Sequence, residues 1–215
     1  MYAVKFSKYN NVLNQIMSEE DTLEDIIDIQ LDGKPSKEEK KHLCDGKTWS
    51  KYAFANDKPF YMTVYKGNNI VACISYCYFG ITIDFLSYQA DKMVVYLTLD
   101  YNRCDINFLF NEDRVVKYPN GDLFLSKIIS YSFEEQKNTE TEIFFKNTGL
   151  ALITVTEKYF QEMDWNTQKQ EVKVNISHNF IRCPIDYMDF EYLLDYQNNI
   201  KEEYFNFPNK KNNKM

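Results

Sequence analysis

The sequence predicts a mainly β protein of the α+β kind: an antiparallel meander forming a sandwich or a strongly curved sheet, with N- and C-terminal helices packed on it. Three observations carry that prediction. Residues 60–177 break into short runs rich in β-branched and aromatic residues, separated by turn residues at intervals of about 8–12 positions, the spacing of an antiparallel meander. No helical crossover of the length that joins parallel strands lies between the runs, which excludes a doubly wound parallel sheet. Roughly nine strands in one twisted layer would also curl or divide into packed layers.

The length suits one domain over residues 1–205. It divides into an acidic helical entry at 1–59, the strand block at 60–177 and a helical exit at 178–205; the Asn- and Lys-rich tail at 206–215 is expected to fray. A chain of 215 residues buries a core without disulfides or metals. Cys44, Cys73, Cys77, Cys104 and Cys183 are odd in number and form no secreted disulfide framework. The N-terminus has no apolar signal core, and no run is long enough for a membrane span. We therefore expect a cytoplasmic protein with reduced thiols, no cofactor and no membrane association.

Residues 1–7 alternate loosely, as a first strand would. Val12, Leu13, Ile16 and Met17 then recur at helical spacing. Ser18 with Asp21 caps a helix whose apolar face is Leu23, Ile26, Ile27 and Leu31, and Asp32-Gly33 stops it. Ser36 and Glu39 form an S-x-x-E capping box for a second helix, which Gly46 ends. Trp49, Tyr52 and Phe54 fold the following linker onto the sheet.

Within the strand block, strands are expected at 60–66, 70–79, 81–87, 92–100, 123–134, 141–146 and 150–157, with further runs near 106–110 and 114–118. Gly67-Asn68-Asn69, Pro119-Asn120-Gly121-Asp122 and Asn147-Thr148-Gly149 are turns, and Gly80 is a bulge or bend. Residues 158–168 are ambiguous, with Tyr159, Phe160, Met163 and Trp165 suited to a short helical turn. Val172, Val174 and Ile176 alternate with Glu171, Lys173 and Asn175, the most regular half-buried strand in the chain. In the exit, Tyr187, Met188, Phe190 and Leu194 make a helical apolar stripe that packs on the sheet.

Motifs for chemistry are missing. No nucleophile elbow, phosphate loop or H-E-x-x-H helix occurs. With 6 Gly and 2 His in the chain, phosphate cradling and imidazole catalysis have few residues to draw on. His42-x-Cys44 lacks further metal ligands at a recognisable spacing. Cys73 and Cys77 lie too far apart along a strand for a disulfide and read as core thiols. Asp84, Asp100 and Asp105 lie in or beside strands; a pair of them meeting in a pocket would suit a carboxylate-dependent hydrolase.

Charge is the stronger signal. The formal net charge is −7, and the arginines, Arg103, Arg114 and Arg182, are few. That composition disfavours nucleic acid, whose recognition leans on Arg forks and positive fields, and favours a basic protein partner. Glu19, Glu20, Asp21, Glu24, Asp25, Asp28 and Asp32 occur with no Lys or Arg among them. They form either a solvated helix face or a docking surface. Glu24, Asp25 and Asp28, together with Asp186, Asp189 and Glu191 in the exit, are the candidate partner-binding residues.

Small size, acidity, Tyr richness and the missing catalytic motifs together resemble, in overall style, the immunity proteins of bacterial polymorphic or contact-dependent toxin systems. The resemblance implies a non-catalytic protein that occludes a cognate toxin domain by charge and shape. The hydrolase, and a structural or phage-type assembly subunit that associates through sheet edges, are the alternatives.

Overall fold

Antiparallel pairing dominates the structure, a computed structural model that describes residues 2–89, 92–103, 118, 122–160 and 165–205. The chain begins with β1 (Tyr2–Lys5) and a small hairpin, β2 (Tyr9–Asn10) and β3 (Gln15–Ile16). Helix α1 (Glu19–Asp25) runs into a π-helical turn (Ile26–Gln30), followed by α2 (Lys37–His42) and α3 (Gly46–Ala55). Then come β4 (Phe60–Lys66), β5 (Asn69–Cys77), β6 (Gly80–Gln89), β7 (Lys92–Asn102), β8 (Leu123–Phe133), β9 (Lys137–Lys146), β10 (Leu150–Tyr159) and β11 (Trp165–Lys173). A 3-10 turn (Ile176–His178), β12 (Phe180–Ile181), a second 3-10 turn (Glu191–Leu194), α4 (Tyr196–Asn199) and α5 (Glu202–Phe205) complete the chain. The strands follow the hydrogen-bonded order β1-β4-β5-β6-β7-β8-β9-β10-β11, with β12 on β8 off that path. The fold is thus mainly β and antiparallel, as expected. No helix among the described residues is long and apolar enough to cross a membrane.

The chain forms two units, Met1–Val95 with Pro184–Leu194, and Tyr96–Cys183 with Asp195–Met215. In the first, three apolar rows cross β4, β5 and β6: Phe60/Tyr76/Ile81, Met62/Ile74/Ile83 and Val64/Ala72/Phe85. All nine side chains are buried, and each large one contributes about 1.5–3 kcal/mol on leaving water. Helix α3 covers this face. Phe54 meets Phe60 and Tyr76 edge-on at 6.4 and 6.2 Å, and the Trp49 indole N–H donates to the Pro59 carbonyl at 3.0 Å. On the opposite face the β2–β3 hairpin lays Tyr9 and Ile16 against Cys73, Leu86 and Met93.

In the second unit the row Leu99/Ile128/Ile143/Ile153 crosses β7 to β10, again fully buried. Tyr204 of α5 packs on Phe145, ring centroids 4.8 Å apart. The Tyr204 hydroxyl donates to Asn179 Oδ1 at 2.9 Å, and the Asn179 amide donates to the Leu125 carbonyl at 3.1 Å. A buried amide is thereby satisfied and α5 is fastened to β8.

Several expectations are corrected by local chemistry. Residues 12–17 are not helical: Asn10 Oδ1 accepts the Val12 and Leu13 N–H groups, both at 3.0 Å, and turns the chain into the β2–β3 hairpin. Gly46 opens a helix instead of ending one. Asp45 caps α3 by accepting the Thr48 N–H at 2.8 Å, so Trp49, Tyr52 and Phe54 are helical and not linker. The 70–79 strand ends at Cys77, and Tyr78-Phe79 is a two-residue connection into Gly80, which pairs with Cys77 and is no bulge. Cys77 is consequently exposed, while Cys73 is buried. The regular alternation at 171–177 is not a half-buried strand. β11 lies upstream of most of it and is exposed along nearly its whole length, and Ile176 starts a 3-10 turn in which Asn175 Oδ1 accepts the Ser177 N–H at 3.0 Å. Tyr159 ends a strand and Trp165 begins one, so neither belongs to a helical turn.

Of the expected exit stripe only Phe190 is buried, beside Leu193, which lies off it; Met188 is exposed, and only Glu191–Leu194 is helical, as a 3-10 turn. Asp189 takes the Ile185 N–H at 2.9 Å and Asp186 takes the Met188 N–H at 2.7 Å, so side chains compete for the donors a longer helix would use. Met163, the runs at 106–110 and 114–117, and the tail at 206–215 lie outside the described residues.

Two stability tests follow from these contacts. A Cβ added at Gly46 would collide with Phe6 Cβ and stand 3.0 Å from Glu19 Cδ. Gly46→Ala, favourable for an isolated helix, should here cost about 1–3 kcal/mol, read as a lower urea midpoint at unchanged slope. Glu39 completes the capping box on Ser36, accepting its N–H at 2.7 Å, and bridges to Lys58 at 3.2 Å. The Ser36 backbone and hydroxyl bonds, then Lys58, hold its carboxyl below the ordinary carboxylate range. A depressed folded pKa stabilises above the unfolded pKa and is lost as pH falls through the folded one. Glu39→Gln should therefore be less stable by about 1 kcal/mol near neutral pH, and the gap should close in acid unfolding curves below about pH 4.5.

Candidate functional site

The acidic entry becomes a short helix with a defined inside and outside. Ser18 caps α1 by accepting the Asp21 N–H at 3.0 Å. Thr22 and Ile26 turn inward and are buried; the Thr22 hydroxyl donates to the Ser18 carbonyl at 2.7 Å and accepts the Lys8 N–H at 3.1 Å. Glu19 accepts the Gly46 N–H at 2.8 Å, joining α1 to the start of α3. At the far end the ladder widens to the Leu31 N–H reaching the Ile26 carbonyl at 3.0 Å. Such π turns are uncommon and recur at functional positions.

The candidate residues fall into three groups. Glu24 and Asp28 are exposed, as is Glu20 one turn before Glu24, and none of the three has an ion-pair partner among the described residues. Ile29 stands beside them, 62% exposed. Asp25, in contrast, is half-buried and bound by Lys8 Nζ at 2.7 Å. Lys8 also lies 5.2 Å above the Tyr61 ring, and burial followed by the Asp25 charge pushes the Tyr61 phenol up to about 12. Asp25 is thus part of an internal charge knot. Asp186 and Asp189 hold backbone N–H groups in the exit turn, while Glu191 is exposed at the start of its 3-10 turn. Both acidic groups belong to the first unit.

The sequence treats the acids of the entry as equals. Glu20 is exposed like Glu24 and joins the candidates; the four-residue spacing of Glu20, Glu24 and Asp28 is the sequence signal that marks it.

The residues weighed for chemistry are placed as follows. Asp84 is half-buried in β6 opposite Cys73; Asp100, in the second unit, is held by Lys127 Nζ at 3.0 Å; Asp105 lies outside the described residues. Burial acts to lower the Lys127 ammonium pKa, but Asp100, aided by Glu142 and Glu140, outweighs it and raises the pKa. Cys73 sits in a closed polar cluster. The Ser7 hydroxyl donates to Thr63 Oγ1 at 2.9 Å, and Thr63 Oγ1 is 3.4 Å from Cys73 Sγ. Burial raises this thiol to about 12, the reverse of what a thiolate nucleophile needs. His42 stacks on Tyr52 at 4.3 Å with its Nε2 3.3 Å from Glu38. No metal-binding group of His, Cys, Asp and Glu forms among the described residues.

Comparison with known protein families, curated proteins and solved structures finds no match to this chain.

The charge knot gives a direct test. Lys8→Met removes the cation that neutralises Asp25. It should cost about 1 kcal/mol in urea unfolding, because the pair is only partly shielded from water, and it should raise the Tyr61 phenol further in a spectrophotometric titration, since the Asp25 charge would act unopposed.

Proposed function

We propose that the chain is a non-catalytic acidic binding protein that neutralises a cationic protein partner in the cytoplasm. Its α1 face is the docking surface, and the partner class is a toxin domain of the kind that immunity proteins occlude. One observation carries this reading. Glu20, Glu24 and Asp28 stand at successive helical spacings, exposed and without ion-pair partners among the described residues, beside the exposed Ile29. Like charges at that spacing repel by a few tenths of a kcal/mol per pair, roughly. A structure that keeps the repulsion, while pairing the neighbouring Asp25 with Lys8, holds a charge pattern that a basic surface relieves.

An apolar residue among the acids fits an interface in which a hydrophobic contact is ringed by charge. Glu191 extends the same chemistry; Asp186 and Asp189 act by shaping the turn that carries it. A curved or sandwiched sheet bearing the terminal helices would serve as the rigid body behind these residues. Opposite fields would accelerate encounter and make it salt-sensitive.

The test uses the product of the gene immediately upstream as the partner. The wild-type chain should bind it with an affinity that weakens as salt rises. The triple reversal Glu20→Lys, Glu24→Lys and Asp28→Lys should weaken capture at least about tenfold at low salt and flatten the salt dependence. Unchanged affinity in the folded triple variant would remove α1 as the docking face.

A further inference from the structure

Strand β11 ends the hydrogen-bonded order of the sheet. It pairs with β10, from Trp165 opposite Lys158 to Lys173 opposite Leu150, and with no second strand among the described residues. The outer row of backbone N–H and C=O groups on such an edge is a template for another strand. Folds blunt that template with a short strand, a proline, a bulge or a covering segment. At the other end of the order, β1 is 4 residues long. β11 has 9 residues without Pro or Gly, keeps one register against β10 throughout, and is exposed at every position except the half-buried Val172. Its side chains are mostly polar on both faces. Gln168 and Gln170 share the face of the buried Ile153, and Thr167, Lys169 and Glu171 take the other. A strand so exposed adds little to the core of its own unit and keeps a long, regular edge outward.

The charges along β11 complement a second copy of the same strand in one register. Outward backbone groups belong to every second residue, so a two-fold antiparallel ladder must centre on a residue and not between two. Centred on Lys169 it sets Lys169 against its own copy, and centred on Glu171 it sets Glu171 against its own copy; like charges directly across a ladder destabilise it. Centred on Gln168 it forms no charge pair. Centred on Gln170 it sets Lys169 against Glu171 on each side of the axis, with Gln168 against Val172 and Thr167 against Lys173. Lys169 has no ion-pair partner among the described residues. Glu171 has an exposed 3.4 Å bridge to Lys146, which leaves its carboxylate lone pairs for a second ammonium. We propose that the protein forms a two-fold dimer in which residues 167–173 of β11 pair with the same residues of a second copy, antiparallel and centred on Gln170. The interface is isologous and occupies the edge it uses, so assembly stops at two. This inference goes beyond the binding of a basic partner and does not rest on it, because the α1 acids belong to the other unit.

Sedimentation velocity of the full chain, over a concentration series reaching the high micromolar range at low salt, reads the dimer. The wild-type chain should pass reversibly from monomer to dimer and go no further. Lys169→Glu and Glu171→Lys each turn two opposite-charge pairs into two like-charge pairs, so each alone should weaken dimerisation at least about tenfold. Net charge by itself would make Glu171→Lys associate more readily, so weakening in that variant reports the register and not general repulsion. The double exchange, Lys169→Glu with Glu171→Lys, restores both pairs and should return dimerisation to within about threefold of wild type, since the exposed Lys146 bridge it disturbs is worth little. Gln170→Cys should become linked to its own copy on oxidation with diamide, because residues directly opposite stand about 4.5–5.5 Å apart, a disulfide distance. Lys169→Cys, set across from Glu171, should not. A folded chain that stays monomeric throughout leaves the edge to a foreign strand or to water and overturns the dimer. Indifference to both single reversals, a double exchange that fails to rescue, or larger species in place of a dimer would do the same.

Discussion

Rows of apolar side chains, running across antiparallel strands at right angles to the chain, are the interaction on which the rest depends. In the first unit Met62, Ile74 and Ile83 face one another from β4, β5 and β6 with no exposed surface to speak of. In the second, Leu99, Ile128, Ile143 and Ile153 do the same across four strands. A strand's period of two then dictates what its other face carries. Thr63, Cys73 and Asp84 oppose one another in the first unit, and Asp100 pairs with Lys127 in the second. Of the strand-borne carboxylates weighed for chemistry, Asp100 is engaged by Lys127 and Asp84 lies opposite Cys73, the two in different units.

The acids that remain outward lie on the short helical elements instead. Helix α1 is tied down from several directions: Glu19 to the Gly46 N–H, Thr22 to the segment at Lys8, and Asp25 to the Lys8 ammonium. Each tie uses a polar group that the sequence shows only as part of an acidic run. What is left, Glu20, Glu24 and Asp28 with Ile29, is presented by a helix whose inner side cannot shift without breaking buried contacts. Rigid presentation of a repelling charge set reduces the ordering cost of binding a basic surface.

A similar economy governs the end of the chain. Tyr204 is both a core ring against Phe145 and a hydroxyl that satisfies Asn179. Fixing α5 in this way places Glu202 and Phe205, which with Tyr196 and Ile200 line an open groove. The abundance of Tyr was visible as composition; the sorting of Tyr101 into the core and Tyr96 and Tyr196 into a groove wall depends on which residues surround each ring.

What the sequence by itself determined is the part governed by short-range rules. The strands at 60–66 and 92–100 show their period or their β-branched content directly, and the turn at Gly67 and the caps at Ser18 and Ser36 follow from residues that bond to their own backbone neighbours. The acidic excess was equally legible. Competing local bonds turn 12–17 into a hairpin at Asn10, start a helix at Gly46 under the Asp45 cap and break the exit helix at Asp186 and Asp189, and spacing did not separate them from the alternatives. Tertiary structure alone decided that position 46 must be glycine, since Phe6 and Glu19 crowd the place of a Cβ. It also decided which acids are engaged and which face water. The reason is that a side chain's hydrogen-bond partner is chosen by what lies near it in space. Spacing along the chain constrains only neighbours within a turn or two, and Lys8 with Asp25, Glu19 with Gly46 and Tyr204 with Asn179 are all farther apart than that.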